Sequence, residues 1–490
     1  MALLLLLFLP LLAGLVCLAI RPRVWLERVN LAAFAGVAIC AVRLGYEVVE
    51  SGPVSAWDGF FYADALSALV VALTAFVALV SSVYAIGYFR QDERAGKITA
   101  VQTRRYYRLT PFFVFAMLLV ALANNLGVMW VAIEGTTLAS VLLIAFYNEK
   151  ASLEAAWKYI IIGSVGISLA LFGTILTYYS AVDALDGETN KGLNWSLLVT
   201  LADKFNPSAM RLAFVMALVG YGTKAGLAPM HTWKPDAYAE APVPASAILG
   251  AGVINCALYA IIRFYALSAK CLGYDFSGRF LLWFGLASMV VATPFVLAQR
   301  NFRRLLAYSS IEHAGIMVTA LGFGGALGYR GATLHLVFHA LTKPLLFFCS
   351  GNIQQHFGTP FLRKVRGAIH VLPLSAALFL MAVLAVTGTP PFSIFQSEFT
   401  ILSAAFAARH EWLALLFILC VVTIFAGFLR HAAGMVLGPP PEGVGRAIAC
   451  PWKSSALIGV AGVILVVGFW LPRPLFELVR QTAAIIGGTQ

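Results

Sequence analysis

Nine ionisable side chains stand in or at the edges of long apolar stretches: Glu134, Lys158, Lys224, His231, His313, His335, His339, Lys343 and Glu398. An ion at the centre of a bilayer costs roughly 2.5 to 3.5 kcal/mol, so Glu134, Lys158, Lys224, Lys343 and Glu398 left unpaired would cost on the order of 12 to 18 kcal/mol together. They must face one another or water. Acids and lysines in that setting, with histidines among them, suit proton transfer along a buried polar axis. Moving a carboxylate such as Glu134 nearer to or further from Lys224 switches the lysine between holding and releasing its proton. The competing reading of this pair is a static tie between two helices.

His335, His339 and Lys343 recur every four residues and so share one helical face. Paired histidines can also ligate a metal or haem, but the lysine on the same face repels a cation, and a relay fits the three better. His313, in the run Ser309 to His313, is read as a relay group or an interfacial one. His231 and Lys158 are read either as carriers or as side chains that reach out to an interface. No catalytic, cofactor-binding or metal-binding residue is expected in this chain.

The elements that must hold these groups follow from composition. Of 490 residues, 61% are hydrophobic and 11% charged, against roughly a quarter charged in an ordinary soluble domain. That excludes a soluble enzyme. The apolar segments run approximately 2-20, 29-49, 64-89, 108-123, 126-147, 153-180, 210-240, 242-268, 279-299, 303-327, 329-350, 371-407, 412-437 and 455-471. They are too long for strands of a membrane barrel and lack its alternation, so helices are the spanning solution, at about 20 residues per crossing. The sequence therefore predicts an all-α polytopic membrane protein with about 14 transmembrane helices.

Thirty-four Lys and Arg against twenty-two Asp and Glu give a formal charge of +12. The basic residues sit in short loops between apolar segments, which points to the positive-inside rule and not to nucleic acid. Arg21, Arg23 and Arg28, the Arg90 to Arg108 loop, Arg300, Arg303 and Arg304, Arg363, Lys364 and Arg366, and Arg446 with Lys453 all fall on one side, taken as cytoplasmic. Glu50, Asp58, Asp183, Asp186 and Glu188 fall on the other. An uncleaved first span and both termini outside the cytoplasm are expected. Seven scattered cysteines without a CxxC pair give no zinc or iron-sulfur ligand set. The glycines at 322, 324 and 328 follow no strand, and no GxxxxGK[ST] run exists, so neither dinucleotide nor ATP binding is indicated.

Two segments break in the middle, at Gly226 to Pro229 and at Thr387 to Pro391, with Pro229, Pro390 and Pro391 as hinges. Interrupted helices in corresponding places mark an inverted-repeat transporter. An acid (Glu134; Glu312), a lysine (Lys158; Lys343) and an ion in the broken helix (Lys224; Glu398) recur about 180 residues apart. The expected division is three N-terminal helices over 1-106, a first five-helix repeat over 107-270, an inverted second one over 271-437, and a final helix with a tail over 438-490.

Gly220 to Leu249, Arg303 to Gly315 (RRLLAYSSIEHAG), His335 to Ile353 (HLVFHALTKPLLFFCSGNI) and Thr387 to Phe399 (TGTPPFSIFQSEF) together resemble the antiporter-like membrane subunits shared by respiratory complex I, multisubunit sodium/proton antiporters and membrane-bound hydrogenases. The stretch Ile133 to Thr174 is most similar to the F component of the hydrogenase-4 and formate-hydrogenlyase group. The resemblance implies a fourteen-helix core with two inverted five-helix repeats, each supplying a half-channel. It puts the key glutamate on Glu134, the broken-helix lysine on Lys224, the sixth-helix lysine on Lys158, the central groups on His335, His339 and Lys343, and the exit residue on Glu398. The chain departs from many relatives at Gly250, where they carry histidine, and at Glu398, where they carry lysine. Water held by Ser246 and Asn255 is then expected to bridge Lys224 to the middle.

The buried ions and the resemblance together imply a proton-translocating subunit of a multisubunit membrane oxidoreductase in the inner or plasma membrane of a prokaryote. Its expected partners are other membrane subunits and a peripheral redox arm that carries the iron-sulfur clusters and nickel-iron or flavin. The same buried ions would serve a subunit of a sodium/proton antiporter, or a proton-conducting partner of an inorganic-carbon transporter, and the residues leave that choice open.

Overall fold

The computed structural model describes residues 2–185 and 189–488. Asp186 and Glu188 of the acidic loop lie outside the described residues. The chain is a bundle of helices: α1 (Ala2–Ala19), α2 (Arg23–Ser51), α3 (Ala65–Arg94), α4 (Ala100–Leu122), α5 (Leu126–Ile144), α6 (Lys150–Ala181), the short α7 (Trp195–Leu201), α8 (Pro207–Ala225), α9 (Trp233–Glu240), α10 (Val243–Ile248), α11 (Ile254–Leu272), α12 (Tyr274–Leu297), α13 (Phe302–Phe323), α14 (Gly325–Phe357), the one-turn α15 (Ala368–Val371), α16 (Pro373–Val386), α17 (Ser393–Ala407), α18 (Glu411–Val436), α19 (Pro451–Phe469) and α20 (Arg473–Ile486). Among the described residues, eleven helices are long and apolar enough to cross a membrane. The two halves of the second broken segment, α16 and α17, have 14 and 15 residues and fall short of that length because the segment is cut in two.

Local sequence accounts for where helices start. Asn125, Asn206 and Asn301 cap α5, α8 and α13 with their side-chain oxygens on backbone N–H groups. Thr99 and Gln102 form a reciprocal capping box. That box starts α4 at Ala100, so Arg104, Arg105 and Arg108 lie in helix where the sequence pattern suggests a loop. Three further features escape the apolar pattern. A hairpin of β1 (Val54–Ala56) and β2 (Phe61–Ala63) joins α2 to α3. The eighth apolar segment carries a π-turn at Leu249–Val253 between α10 and α11. The C-terminal tail forms α20, whose Leu478, Val479, Thr482, Ile485 and Ile486 make one buried stripe against α3 and α14.

The core lies around α10, α11 and α14, which are buried along their whole apolar length, whereas α1, α2, α18 and α19 keep open apolar faces. The packing order α4 on α5, α5 on α6 and α6 on α8 recurs as α12 on α13, α13 on α14 and α14 on α16 and α17. Glycines let the helices of these pairs touch. A Cβ on Gly220 would stand 2.5 Å from the Ala170 nitrogen, across the α6–α8 contact. One on Gly285 would stand 2.5 Å from the Thr319 nitrogen, across α12–α13. Backbones that close hold the ion-bearing helices in fixed register.

Both expected interruptions are present. At the first, α8 halts at Ala225, Gly226 turns with φ +77°, and Leu227 N–H closes back on the Gly222 carbonyl at 2.9 Å. At the second, α16 halts at Val386 and α17 resumes at Ser393, with Gly388 at φ +68°. Pro229, Pro390 and Pro391 lie in these gaps.

Candidate functional site: a buried polar axis

The axis begins on α5. Glu134 is half-buried, on a helix whose Val131, Leu138 and Leu142 point outward. Thr137, one turn on, donates its hydroxyl to Glu134 Oε2 at 3.1 Å. Lys224 Nζ donates to Thr137 Oγ1 at 2.7 Å and to the Tyr159 hydroxyl at 2.7 Å, and lies 4.6 Å from the Tyr159 ring centre. Tyr159 is in turn hydrogen-bonded to Ser140 at 2.8 Å. The acid and the lysine are therefore coupled through a threonine hydroxyl, and no direct ion pair joins them among the described residues. A hydroxyl that accepts from an ammonium and donates to a carboxylate is a ready proton path.

The halted end of α8 leaves backbone carbonyls without helical partners. Trp233 Nε1 donates to the Thr223 carbonyl at 2.9 Å, and Lys234 Nζ to the Ala225 carbonyl at 2.6 Å. Lys234 also reaches the Ser310 carbonyl of α13 at 3.4 Å. His231 lies in the same gap, buried, with Nδ1 lacking a partner among the described residues. Arg303, fully buried, donates to the Tyr238 carbonyl and Ser246 Oγ, both at 2.8 Å, and to the Ala241 carbonyl, which fixes the far end of α9.

The middle of the axis is built by α13 and α14. Lys343 Nζ donates to the Leu306 carbonyl and to Ser309 Oγ, both at 3.1 Å. His313 Nδ1 and His335 Nε2 are 2.9 Å apart, and the His313 and His339 rings lie with centres 5.1 Å apart. Among the described residues, neither nitrogen of His339 has a partner. His335 Nδ1 meets Ser397 Oγ at 2.9 Å, which hands the row to α17.

Glu398 follows Ser397 and is 9% exposed. Its carboxylate lies against Gly388, where a Cβ would stand 2.0 Å from Oε2. Glycine suits the φ of +68° at this position and leaves the carboxylate its place, whereas a Cβ would push the carboxylate aside. Glu398 also lines a cavity of about 370 Å³ with Thr387, Pro390, Phe399 and Phe417. Glu312, buried on α13, stands within electrostatic reach of both Glu398 and Lys343.

Of the residues singled out from the sequence, Glu134 and Lys224 meet through Thr137, and His231 lies at the first break. His313 gathers His335 and His339, with Lys343 seated on the same helix α13, and Glu398 follows the serine that His335 meets. Among the described residues no hydrogen bond joins the first group directly to the second. Lys158 stands apart. It is 45% exposed and pairs with Glu154 at 2.6 Å and Asp236 at 3.0 Å, while Asp236 also pairs with Arg304. Ser246 Oγ accepts from Arg303 and donates to the Tyr238 carbonyl. Asn255 is buried, with neither polar atom partnered among the described residues. Sequence reasoning misses Lys234, although it lies within the apolar segment 210-240, because it stands just past the break beside Asp236 and Glu240 and nothing in its spacing marks it out. It also misses Arg263, whose fork meets Asp64 at 2.6 and 2.8 Å under Trp195. Among the described residues no group of three or more His, Cys, Asp or Glu side chains is placed to hold a metal ion.

The profile of the family described as NADH:quinone oxidoreductase/Mrp antiporter, transmembrane, matches residues 123–424. A hydrogenase-4 component F homolog from Methylacidiphilum infernorum is 36% identical, with 87% of this chain and 89% of that protein covered. The N subunit of the F420H2 dehydrogenase of Methanosarcina mazei is 31% identical, over 86% of this chain and 84% of that protein. Among solved structures, a chain of an archaeal membrane-bound sulfane sulfur reductase superposes with a TM-score of 0.86 at 23% identity, covering 99% of this chain and 97% of that one.

Proposed function

The chain belongs to the NADH:quinone oxidoreductase/Mrp antiporter transmembrane family, and we propose that it carries protons across the membrane for a multisubunit oxidoreductase of hydrogenase-4 type. The observation that carries this reading is two buried polar groups, Glu134, Thr137 and Lys224 at the first helix break, and Lys343, His313, His335, Ser397 and Glu398 reaching the second. Intramembrane ions are costly and persist where they work.

In this reading Glu134 receives the driving signal. Its half-buried position on an outward face suits a charge change in an adjoining membrane subunit. When Glu134 loses its hold on Thr137, the hydroxyl turns, and Lys224 loses an acceptor that favoured its charged form. The proton then moves inward to the imidazoles and Lys343. Glu398 takes it up at the second break and releases it through the adjoining cavity. Lys158 serves as an ion-pair anchor at the start of α6, tying that helix to α9 through Asp236.

The broken α8–α9 and α16–α17, with α13, complete fourteen crossings. Residues 107-270 and 271-437 form the two inverted halves, and both termini lie outside the cytoplasm. The iron-sulfur clusters and nickel-iron or flavin that drive the cycle belong to partner subunits on a peripheral arm, in a prokaryotic inner or plasma membrane. The test is purification of the native complex in mild detergent with every subunit identified by mass spectrometry. Iron-sulfur and nickel-iron or flavin subunits are expected. Recovery with antiporter subunits alone would contradict the redox coupling and leave ion exchange.

A further inference from the structure

We infer that Lys234 is a proton carrier, the stepping stone between Lys224 and the central group of Lys343, His313 and His339. The inference rests on the proton-translocating reading above, and it closes a gap which that reading leaves. On the first side of the gap, Lys224 is held by Thr137 and Tyr159. On the other, Lys343 is held by Leu306 and Ser309 of α13. The eighth apolar segment, where a bridging side chain is expected, offers none at Gly250. A Cβ there would stand 2.7 Å from the Phe347 ring and 3.5 Å from Tyr238. Ser246 is bound by Arg303.

Lys234 fills this place from the other half of the broken helix. It is 0% exposed. Its stem folds back over the break, with Cδ 2.5 Å from where a Cβ of Gly226 would be, and Nζ lies on the Ala225 carbonyl, the residue next to Lys224. The same nitrogen faces the Ser310 carbonyl of α13. Ser310 adjoins Ser309, which holds Lys343, and Ser310 Oγ donates to the Leu306 carbonyl that Lys343 also uses. The amine therefore touches both the residue after the first lysine and the turn of helix that seats the second. The charged and titratable groups around it are His231 in the break just before its own helix, His313 on α13, His339 and Lys343 on α14, and the Tyr238 ring 5.7 Å away on its own helix. Among the described residues no carboxylate is within ion-pair distance of it.

A buried lysine surrounded by bases and carbonyls has no fixed counter-charge to hold its proton. Its valence suits both states. As an ammonium it has three N–H donors, two of them used on Ala225 and Ser310. As a neutral amine it keeps two donors for those carbonyls and presents a lone pair for the next proton. Gain and loss of a proton thus leave the backbone contacts in place. The proton leaves Lys224 as an ammonium hydrogen, binds the Lys234 lone pair, and departs to a ring nitrogen of His313 or His339 or to the Lys343 amine.

The simpler role is a static cap on the open end of α8, and substitutions separate the two. Arginine and glutamine keep donors for the Ala225 carbonyl but cannot cycle a proton, whereas histidine can. The purified complex carrying Lys234→Arg, Lys234→Gln or Lys234→His is reconstituted in liposomes, and proton translocation per electron transferred is followed against pH beside Lys224→Met. Carriage predicts at least a tenfold loss for arginine and glutamine in an assembled, redox-active complex. Histidine is expected to retain measurable translocation with its optimum moved toward acid pH. Translocation at the unsubstituted level in either the arginine or the glutamine variant overturns the inference, since a cap suffices. If Lys224→Met also translocates normally, the failure belongs to the proton-translocating reading itself.

Discussion

Thr137 decides whether Glu134 and Lys224 communicate, because each meets its hydroxyl and no shorter link joins them among the described residues. Thr137→Val keeps the shape and removes the link. A hydrogen bond to a charged group is worth about 1.5 to 3 kcal/mol, so transport through this end is expected to slow by about tenfold or more while the complex assembles. Proton uptake by reconstituted vesicles reads this directly, and a rate equal to the unsubstituted protein would mean the two ions act separately. Arg263 makes a different prediction. Its fork binds Asp64, Ser67 and Tyr259 away from the axis, and Arg263→Met leaves a buried carboxylate unpaired. The expected cost is about 3 to 5 kcal/mol of stability, seen as a lower Tm in detergent with transport per folded complex unchanged. Among single residues the sequence reveals those whose polarity clashes with an apolar run, such as Lys224, Lys343 and Glu398. It gives less sign of those at the edge of an apolar run, which is why Lys234, just past a helix break, and Asp64, the first residue of its segment, emerge only from the packing.

The helices matter chiefly where they stop or touch. The two breaks are legible because Gly226 and Pro229, and Gly388 with Pro390 and Pro391, are the residues that leave a helix open. Their consequence is less legible, since nothing in the sequence says that the Glu398 carboxylate closes onto Gly388. Gly388→Ala puts a methyl group where Oε2 lies and asks an L side chain to adopt φ +68°. Loss of transport with retained assembly is expected, and normal transport would show that the glycine only turns the chain. Gly220→Leu tests the α6–α8 contact, where backbone lies 2.5 Å from the new Cβ. The helices must separate, so the variant is expected to be lost from membranes, as judged by immunoblot. The π-turn at Leu249–Val253 has no mark in the hydropathy, because all five residues are apolar or glycine and suit an α-helix as well. The amphipathic α20 is hidden for the opposite reason: its charged face dilutes an apolar stripe that only a helical period exposes.

For the whole molecule, composition alone determines the class, because 61% hydrophobic residues in long runs admit few solutions besides a helical bundle. Which helix lies at the centre is a further matter. α14 is buried on all sides, and its apolar surface gives no face away, yet the stripe His335, His339 and Lys343 points along the row that meets α13 and α17. In the proposed mechanism this row conducts protons under the control of Glu134 and Lys224. Proton translocation per electron by the purified complex in sealed liposomes decides the matter, comparing the unsubstituted chain with Lys224→Met and Glu134→Gln. Both variants are expected to assemble and keep redox turnover while translocation through this subunit is lost. Undiminished translocation in an assembled Lys224→Met complex would contradict the mechanism.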